Sequence, residues 1–247
     1  MDLTALRGAL GFLTQLPIGH DETAWDAFRQ TPAAFPLAAY PIGVLIALPV
    51  SLSVVPAVTA FFFVVAIVVV TGVNHADGLA DLGDAAAVHG DSEQRRAVMK
   101  DTTVGVGAVL ALGTVLAGLV LAGLALAALP SLIAVGIVVA AEVGTKLGMA
   151  AIACLGTATH EGLGSAFTGR RPRQLVAPSV ATLPAVVLTG RSPAALTAVL
   201  IGVCTGLTVL LVARRSLGGV SGDVFGGANE LGRVLALHAG VIAWTLS

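Results

Sequence analysis

The chain has 247 residues, of which 56% are hydrophobic and only 11% charged, with a mean hydropathy of +0.95. Soluble domains carry roughly 25% charged residues, so a water-facing surface is excluded over much of the molecule and lipid must cover it. A net charge of −1 excludes the basic patch that nucleic-acid binding needs, and the two cysteines, Cys154 and Cys204, sit in separate apolar stretches as small packing residues rather than a disulfide framework.

The N-terminal segment, 1–34, does not read as a cleaved signal peptide. Asp2 precedes Arg7, and no apolar run ends at a small-residue cleavage site before His20. Leu3, Leu6, Leu10 and Leu13 recur at helical spacing, which suits an interfacial helix or a short buried one. Crossing a ~30 Å hydrocarbon core takes ~20 helical residues. Seven candidate spans follow, at 35–55, 57–73, 104–129, 131–154, 174–190, 193–213 and 231–246, the fifth and seventh being short. Pro56 and Pro130 divide two long apolar runs into hairpins, because proline fits best at a turn or a helix start. The expectation is an all-α, polytopic bundle in one membrane-embedded domain, 1–247, with polar loops at 74–103, 155–173 and 214–232.

The second span leads into Asn74-His75-Ala76-Asp77-Gly78-Leu79-Ala80-Asp81-Leu82-Gly83-Asp84. Asp77, Asp81 and Asp84 fall at i, i+4 and i+7, within about 60° of one another on a helix. Three like charges on one stripe repel unless a cation compensates them. Magnesium, which binds through a few carboxylates plus substrate phosphates, is the natural one. The plainer alternative is an acidic helix start favoured by the macrodipole. His75 suits a hydrogen bond to phosphate, the orienting of a carboxylate, or simply an interfacial position. Arg96 and Lys100 then share a helix face ahead of Asp101 and suit polyphosphate.

Glu142 and Lys146, four residues apart within the fourth span, are read as a structural ion pair or as a cavity wall. Gly144 with Gly148, and Gly202 with Gly206, are spaced for close helix packing. The loop after the sixth span runs Gly218-Gly219-Val220-Ser221-Gly222-Asp223-Val224-Phe225-Gly226-Gly227-Ala228-Asn229-Glu230. Its glycines permit backbone N–H groups to face an anion, which makes Gly219, Ser221 and Gly222 candidates for substrate binding. Asp223 and Glu230 suit a second metal position or the activation of a hydroxyl.

Numbering the loops alternately puts 11 of the 13 Lys and Arg on one side, with only Lys146 in a span and Arg191 opposite. That side is cytoplasmic by the positive-inside rule, so the N-terminus is expected inside and the C-terminus outside. Every Asp and Glu except Glu142 lies on the same side or in the N-terminal segment. A transporter needs polar groups along a path at bilayer depth; here the chemistry gathers at one aqueous face, as in a magnesium-dependent phosphotransferase.

Three blocks resemble the cobalamin synthase (adenosylcobinamide-GDP ribazoletransferase) family of membrane enzymes. They are His75-x-Asp77-Gly78-x-x-Asp81-x-x-Asp84, then Met99-Lys100-Asp101-Thr102-x-x-Gly105, and Gly218-Gly219-x-Ser221-Gly222-Asp223-x-x-Gly226-Gly227-x-x-Glu230. The openings Phe12-Leu13-Thr14-Gln15-Leu16-Pro17 and Phe35-Pro36-Leu37 are also similar. Lys146 stands where the family has arginine, and Ala85 where glycine is usual. The resemblance implies transfer of adenosylcobinamide-GDP onto α-ribazole or its 5′-phosphate, with release of GMP, at the cell membrane and with magnesium. On that reading Asp77, Asp81 and Asp84 hold metal, and Asp223, Asp101 and His75 are catalytic. Arg96, Lys100, Gly219, Ser221, Gly222 and Glu230 bind substrate, and other enzymes of the pathway are expected partners. Two alternatives stay open: a CDP-alcohol type of membrane phosphotransferase and a cation transporter.

Overall fold

The computed structural model describes residues 3–19, 21–52 and 54–247. Asp2 and His20, which frame the signal-peptide expectation, lie outside them. Thirteen α-helices follow in order among the described residues: α1 (Leu3–Leu13), α2 (Glu22–Gln30), α3 (Ala34–Ile46), α4 (Leu48–Ser51), α5 (Pro56–Thr71), α6 (Asn74–Ala87), α7 (Ser92–Val98), α8 (Val106–Ala127), α9 (Ser131–Leu155), α10 (Leu163–Phe167), α11 (Val176–Thr182), α12 (Ala194–Ser216) and α13 (Gly222–Thr245). Extended pairing among the described residues is limited to one isolated bridge, Ala158 with Val220.

Local chemistry sets many of these ends. Pro56 opens α5 and Pro130 immediately precedes α9, where a missing N–H costs nothing. Asp21 accepts from the Thr23 and Ala24 amides at the start of α2, and Asp91 with Gln94 closes a capping box on α7.

α9 is the axis of the bundle, buried along most of its length and packed against α3, α12 and α13. Gly144 and Gly148 meet Gly202 and Gly206 at the α9–α12 crossing. A Cβ on Gly206 would lie 2.7 Å from the Gly148 Cα, so only glycine allows the backbones this close. α8 shows the opposite pattern, with Val109, Leu110, Leu116 and Leu121 turned outward. Large apolar side chains outside and charged ones inside are what lipid, rather than water, selects.

α8, α9 and α12 are long and apolar enough to cross a membrane, and the pair α5–α6, bent by 99°, makes a fourth if it is one broken span. The sequence suggested about seven. The expected first span is divided at Ala47 into α3 and α4. The expected fifth becomes a 3-10 turn over Pro172–Leu175, α11, and a second 3-10 turn over Leu183–Val187, because Pro172, Pro178 and Pro184 interrupt the amide ladder. The expected polar loop at 214–232 is helical from Gly222, and the one at 74–103 contains α6 and α7. Cys154 is buried as a packing residue, whereas Cys204 is exposed on the outer face of α12.

Glu142 and Lys146 do pair, at 2.7 Å, within a larger buried network. Lys146 also donates to the Asn229 side chain at 2.6 Å, and Arg233 bridges Glu142 to both Glu230 oxygens. This bolts α9 to α13 with two cations against two anions. Removing one partner of a buried pair leaves an uncompensated charge at a cost of about 3–5 kcal/mol. Arg233→Met is therefore expected to lower the thermal unfolding midpoint of the detergent-solubilised protein clearly, and adding Glu230→Gln to recover part of the loss; an unchanged midpoint in the single variant would contradict the role given to this network.

Candidate active site at the α6–α13 junction

α6 turns sharply away from α5 and lies across the first turns of α13. The contact is between backbones. A Cβ on Gly78 would stand 2.8 Å from the Asp223 Cα, and one on Gly226 would stand 2.9 Å from the His75 carbonyl oxygen. Neither position admits a larger residue without moving a helix. Gly78 is thus what lets α6 carry its carboxylates up to Asp223.

Two cavities meet at Asp223. The larger, about 260 Å³, has His75, Asp77 and Asp223 at a polar end and Phe12, Phe35, Phe167 and Phe225 along its walls. The smaller, about 60 Å³, is bordered by Arg96, Lys100, His160, Gly219, Ser221 and Asp223. The structure therefore brings together Asp77, His75, Arg96, Lys100, Gly219, Ser221, Gly222 and Asp223 from three segments far apart in sequence. Burial, and then the Ser221 hydroxyl, Asp77 and His160, act on Asp223, whose carboxyl ends above its ordinary range. Ser221 donates to its Oδ2 at 3.1 Å.

Asp81 borders neither cavity, yet it shares the same field. Burial, followed by the charges of Asp223, Asp77 and Asp84, pushes its pKa up to about 6. The three neighbouring carboxylates thus oppose the ionisation of Asp81, a cost that a divalent cation would relieve. Among the described residues no three His, Cys, Asp or Glu side chains are already grouped as a ready-made metal cage. The arrangement fits a hard cation held by one or two carboxylates and completed by substrate phosphate and water.

His75 is buried, at 6% exposure, and its Nδ1 has no protein partner. Burial, then the nearby Lys146 charge, pushes its pKa down to about 4, so the ring is neutral at pH 7.

Several expected site residues have other tasks. Asp84 accepts from the Gly105 amide at 2.8 Å and the Ala108 amide at 2.9 Å, satisfying the otherwise unpaired N-terminus of α8. Glu230 is drawn into the Arg233 network and borders neither cavity. Asp101 is exposed, accepts from the Thr103 amide at 3.0 Å and borders neither cavity. The Gly219 amide donates to Ala213 and the Val220 amide to Thr157, so these N–H groups serve the loop rather than an anion. Arg96 donates to the Leu217 carbonyl while bordering the smaller cavity. His160 was not singled out from the sequence, and its only signal was its glycine-rich setting. The aromatic wall was likewise missed, although Phe12 and Phe35 belong to the two opening motifs.

Comparison with known proteins agrees with the geometry. The family model for cobalamin-5-phosphate synthase matches residues 5–241. Proteins named adenosylcobinamide-GDP ribazoletransferase are similar over essentially the full length. That of Halorubrum lacusprofundi is 49% identical, covering 99% of this chain and 99% of its own. That of Haloquadratum walsbyi is 42% identical, covering 100% of each. That of Methanocella arvoryzae is 32% identical, covering 98% of this chain and 97% of its own. No solved structure matches.

The different settings of Asp84 and Asp81 separate in thermal unfolding of the purified protein. Asp84→Ala strands two amides at the head of α8 and is expected to cost about 1–3 kcal/mol. Asp81→Asn removes a repelled charge and is expected to leave the midpoint unchanged or raised. The reverse order would contradict the assignment.

Proposed function

The chain belongs to the cobalamin-5-phosphate synthase family, and on that premise we propose that it joins adenosylcobinamide-GDP to α-ribazole, or to α-ribazole 5′-phosphate, releasing GMP and forming adenosylcobalamin or its 5′-phosphate. The observation that carries this reading is the meeting at Asp223 of the acidic stripe of α6, the cations of the 95–100 arm and the glycine-rich loop.

In the reaction a ribazole hydroxyl oxygen forms a bond to the cobinamide-linked phosphorus as the bond from that phosphorus to the GMP oxygen breaks. Asp223, with its raised pKa and its place between the two cavities, takes the hydroxyl proton. Arg96 and Lys100 lie on the side of Asp223 suited to the diphosphate and offset the negative charge gathering on departing GMP. Asp77 and Asp81 would hold magnesium, which supplies charge neutralisation at the diphosphate when bound. Ser221 orients Asp223 through its hydrogen bond. His75, buried and neutral, lines the larger cavity beside Asp77 and Asp223.

We further propose a single membrane-embedded catalytic domain over 1–247 with the active face in the cytoplasm of a cell membrane. The shorter helices α3–α4, the 172–187 segment and α13 would add to the crossings of α5, α8, α9 and α12, toward seven. The bias of Lys and Arg to one side supports the orientation. Other enzymes of the pathway are candidate neighbours at the bilayer. The closed pairing of Glu142 and Lys146 speaks against a cation path, since it leaves neither charge free at bilayer depth.

The test is an assay of the full-length protein in liposomes with adenosylcobinamide-GDP, α-ribazole and magnesium, following GMP. Release is expected to require all three, to stop on chelation, and to fall by about 100-fold or more in Asp81→Asn. A CDP-linked donor is expected to be inert. Turnover with CDP-linked donors alone, or near-parental activity in Asp81→Asn, would overturn the assignment.

A further inference from the structure

Aromatic residues are scarce in this chain, at 4% of the total. Yet Phe12, Trp25, Phe28, Phe35, Phe167 and Phe225 form one connected set of ring contacts. As core packing alone such a set would close on itself. Instead four of the rings leave a space of about 260 Å³ open beside them, with His75, Asp77 and Asp223 in its lining. Phe35 and Phe225 are nearly parallel, at 9° with centroids 6.3 Å apart, and Phe167 meets Phe225 at 5.7 Å. Met149 completes the inner wall, and Leu163, 49% exposed, stands at the mouth. A flat, apolar, polarisable wall with carboxylates at one end suits an aromatic heterocycle carrying a hydroxylated group.

We propose that this cavity is the subsite for the bicyclic aromatic base of α-ribazole, an inference that rests on the reaction proposed above. Size decides between the two substrates: the space is far too small for a corrinoid macrocycle and suits a two-ring base. Direction agrees. With the base against Phe35 and Phe225, the attached ribose extends toward Asp77 and Asp223, so a hydroxyl reaches the carboxylate that takes its proton. Arg96 and Lys100 lie on the far side of Asp223, in the smaller cavity, and leave the donor diphosphate to approach from there. The acceptor and donor then meet across one carboxylate, as in-line transfer requires. Phe35, Phe225 and Leu163 become determinants of which base is accepted.

The experiment uses the full-length protein in liposomes and two variants. Phe225→Leu removes the stacking face, and Leu163→Trp narrows the mouth at an exposed position where folding tolerates a change. Phe225→Leu is expected to raise KM for α-ribazole by roughly tenfold, the scale of one lost base–aromatic contact, and Leu163→Trp to raise it by obstructing entry, while KM for adenosylcobinamide-GDP stays near the parental value in both. Equilibrium dialysis of α-ribazole against the same proteins, without donor, is expected to show the same loss of affinity. Parental KM and affinity for α-ribazole in both variants, or equal increases for both substrates, would overturn the subsite. If the parental protein binds α-ribazole with the predicted dependence on Phe225 but releases no GMP, the subsite stands and the proposed reaction falls.

Discussion

The site depends on one steric fact: α6 and α13 touch through backbone. With hydrogen at positions 78 and 226, the first turns of the two helices come within van der Waals reach, and the α6 carboxylates arrive beside Asp223. Side-chain-mediated packing would hold helix axes about 8–10 Å apart. The electrostatic coupling of Asp81 to Asp223 follows from that closeness. So does the joining of two cavities at a single residue.

Gathering negative charge in this way is unfavourable by itself, and the molecule holds it in place from below. The network of Glu142, Lys146, Asn229, Glu230 and Arg233 fixes α13 to the central helix about two to three turns beyond Asp223. Its charges compensate each other internally, so it anchors without drawing on the site's carboxylates. Lipid-facing helices supply the surround, with apolar side chains outward and small ones inward. The division is between a neutralised ionic core at depth and an uncompensated acidic rim at the aqueous mouth. The first gives rigidity; under the proposed function the second would hold a cation, and only through that cation a diphosphate.

Much of this was legible in the chain itself. Composition announced lipid as the solvent, and the i, i+4 spacing of Glu142 and Lys146 announced their pairing. The three polar blocks do meet, as their one-sided distribution implied. Other features were decided by partners distant in sequence. Asp84 has the same spacing credentials as Asp77 and Asp81, but the amides it serves are 21 and 24 residues away. The aromatic wall is assembled from four separate segments, Phe12, Phe35, Phe167 and Phe225, and no one of them shows in sequence that the rings meet. Some misses had a visible signal: Arg233 lies three residues after Glu230, a helical ion-pair spacing, and the prolines at 172, 178 and 184 argue against one continuous span. The role of Gly78 as a contact residue is visible only once α13 lies against it.

The most direct measurement is GMP release by Gly78→Ala, which inserts one methyl group between α6 and α13 and touches no polar side chain. Turnover is expected to collapse in a chain that still inserts and unfolds cooperatively, because Asp77 and Asp81 are pushed off Asp223. Parental turnover in Gly78→Ala would show that catalysis does not need the two helices in contact.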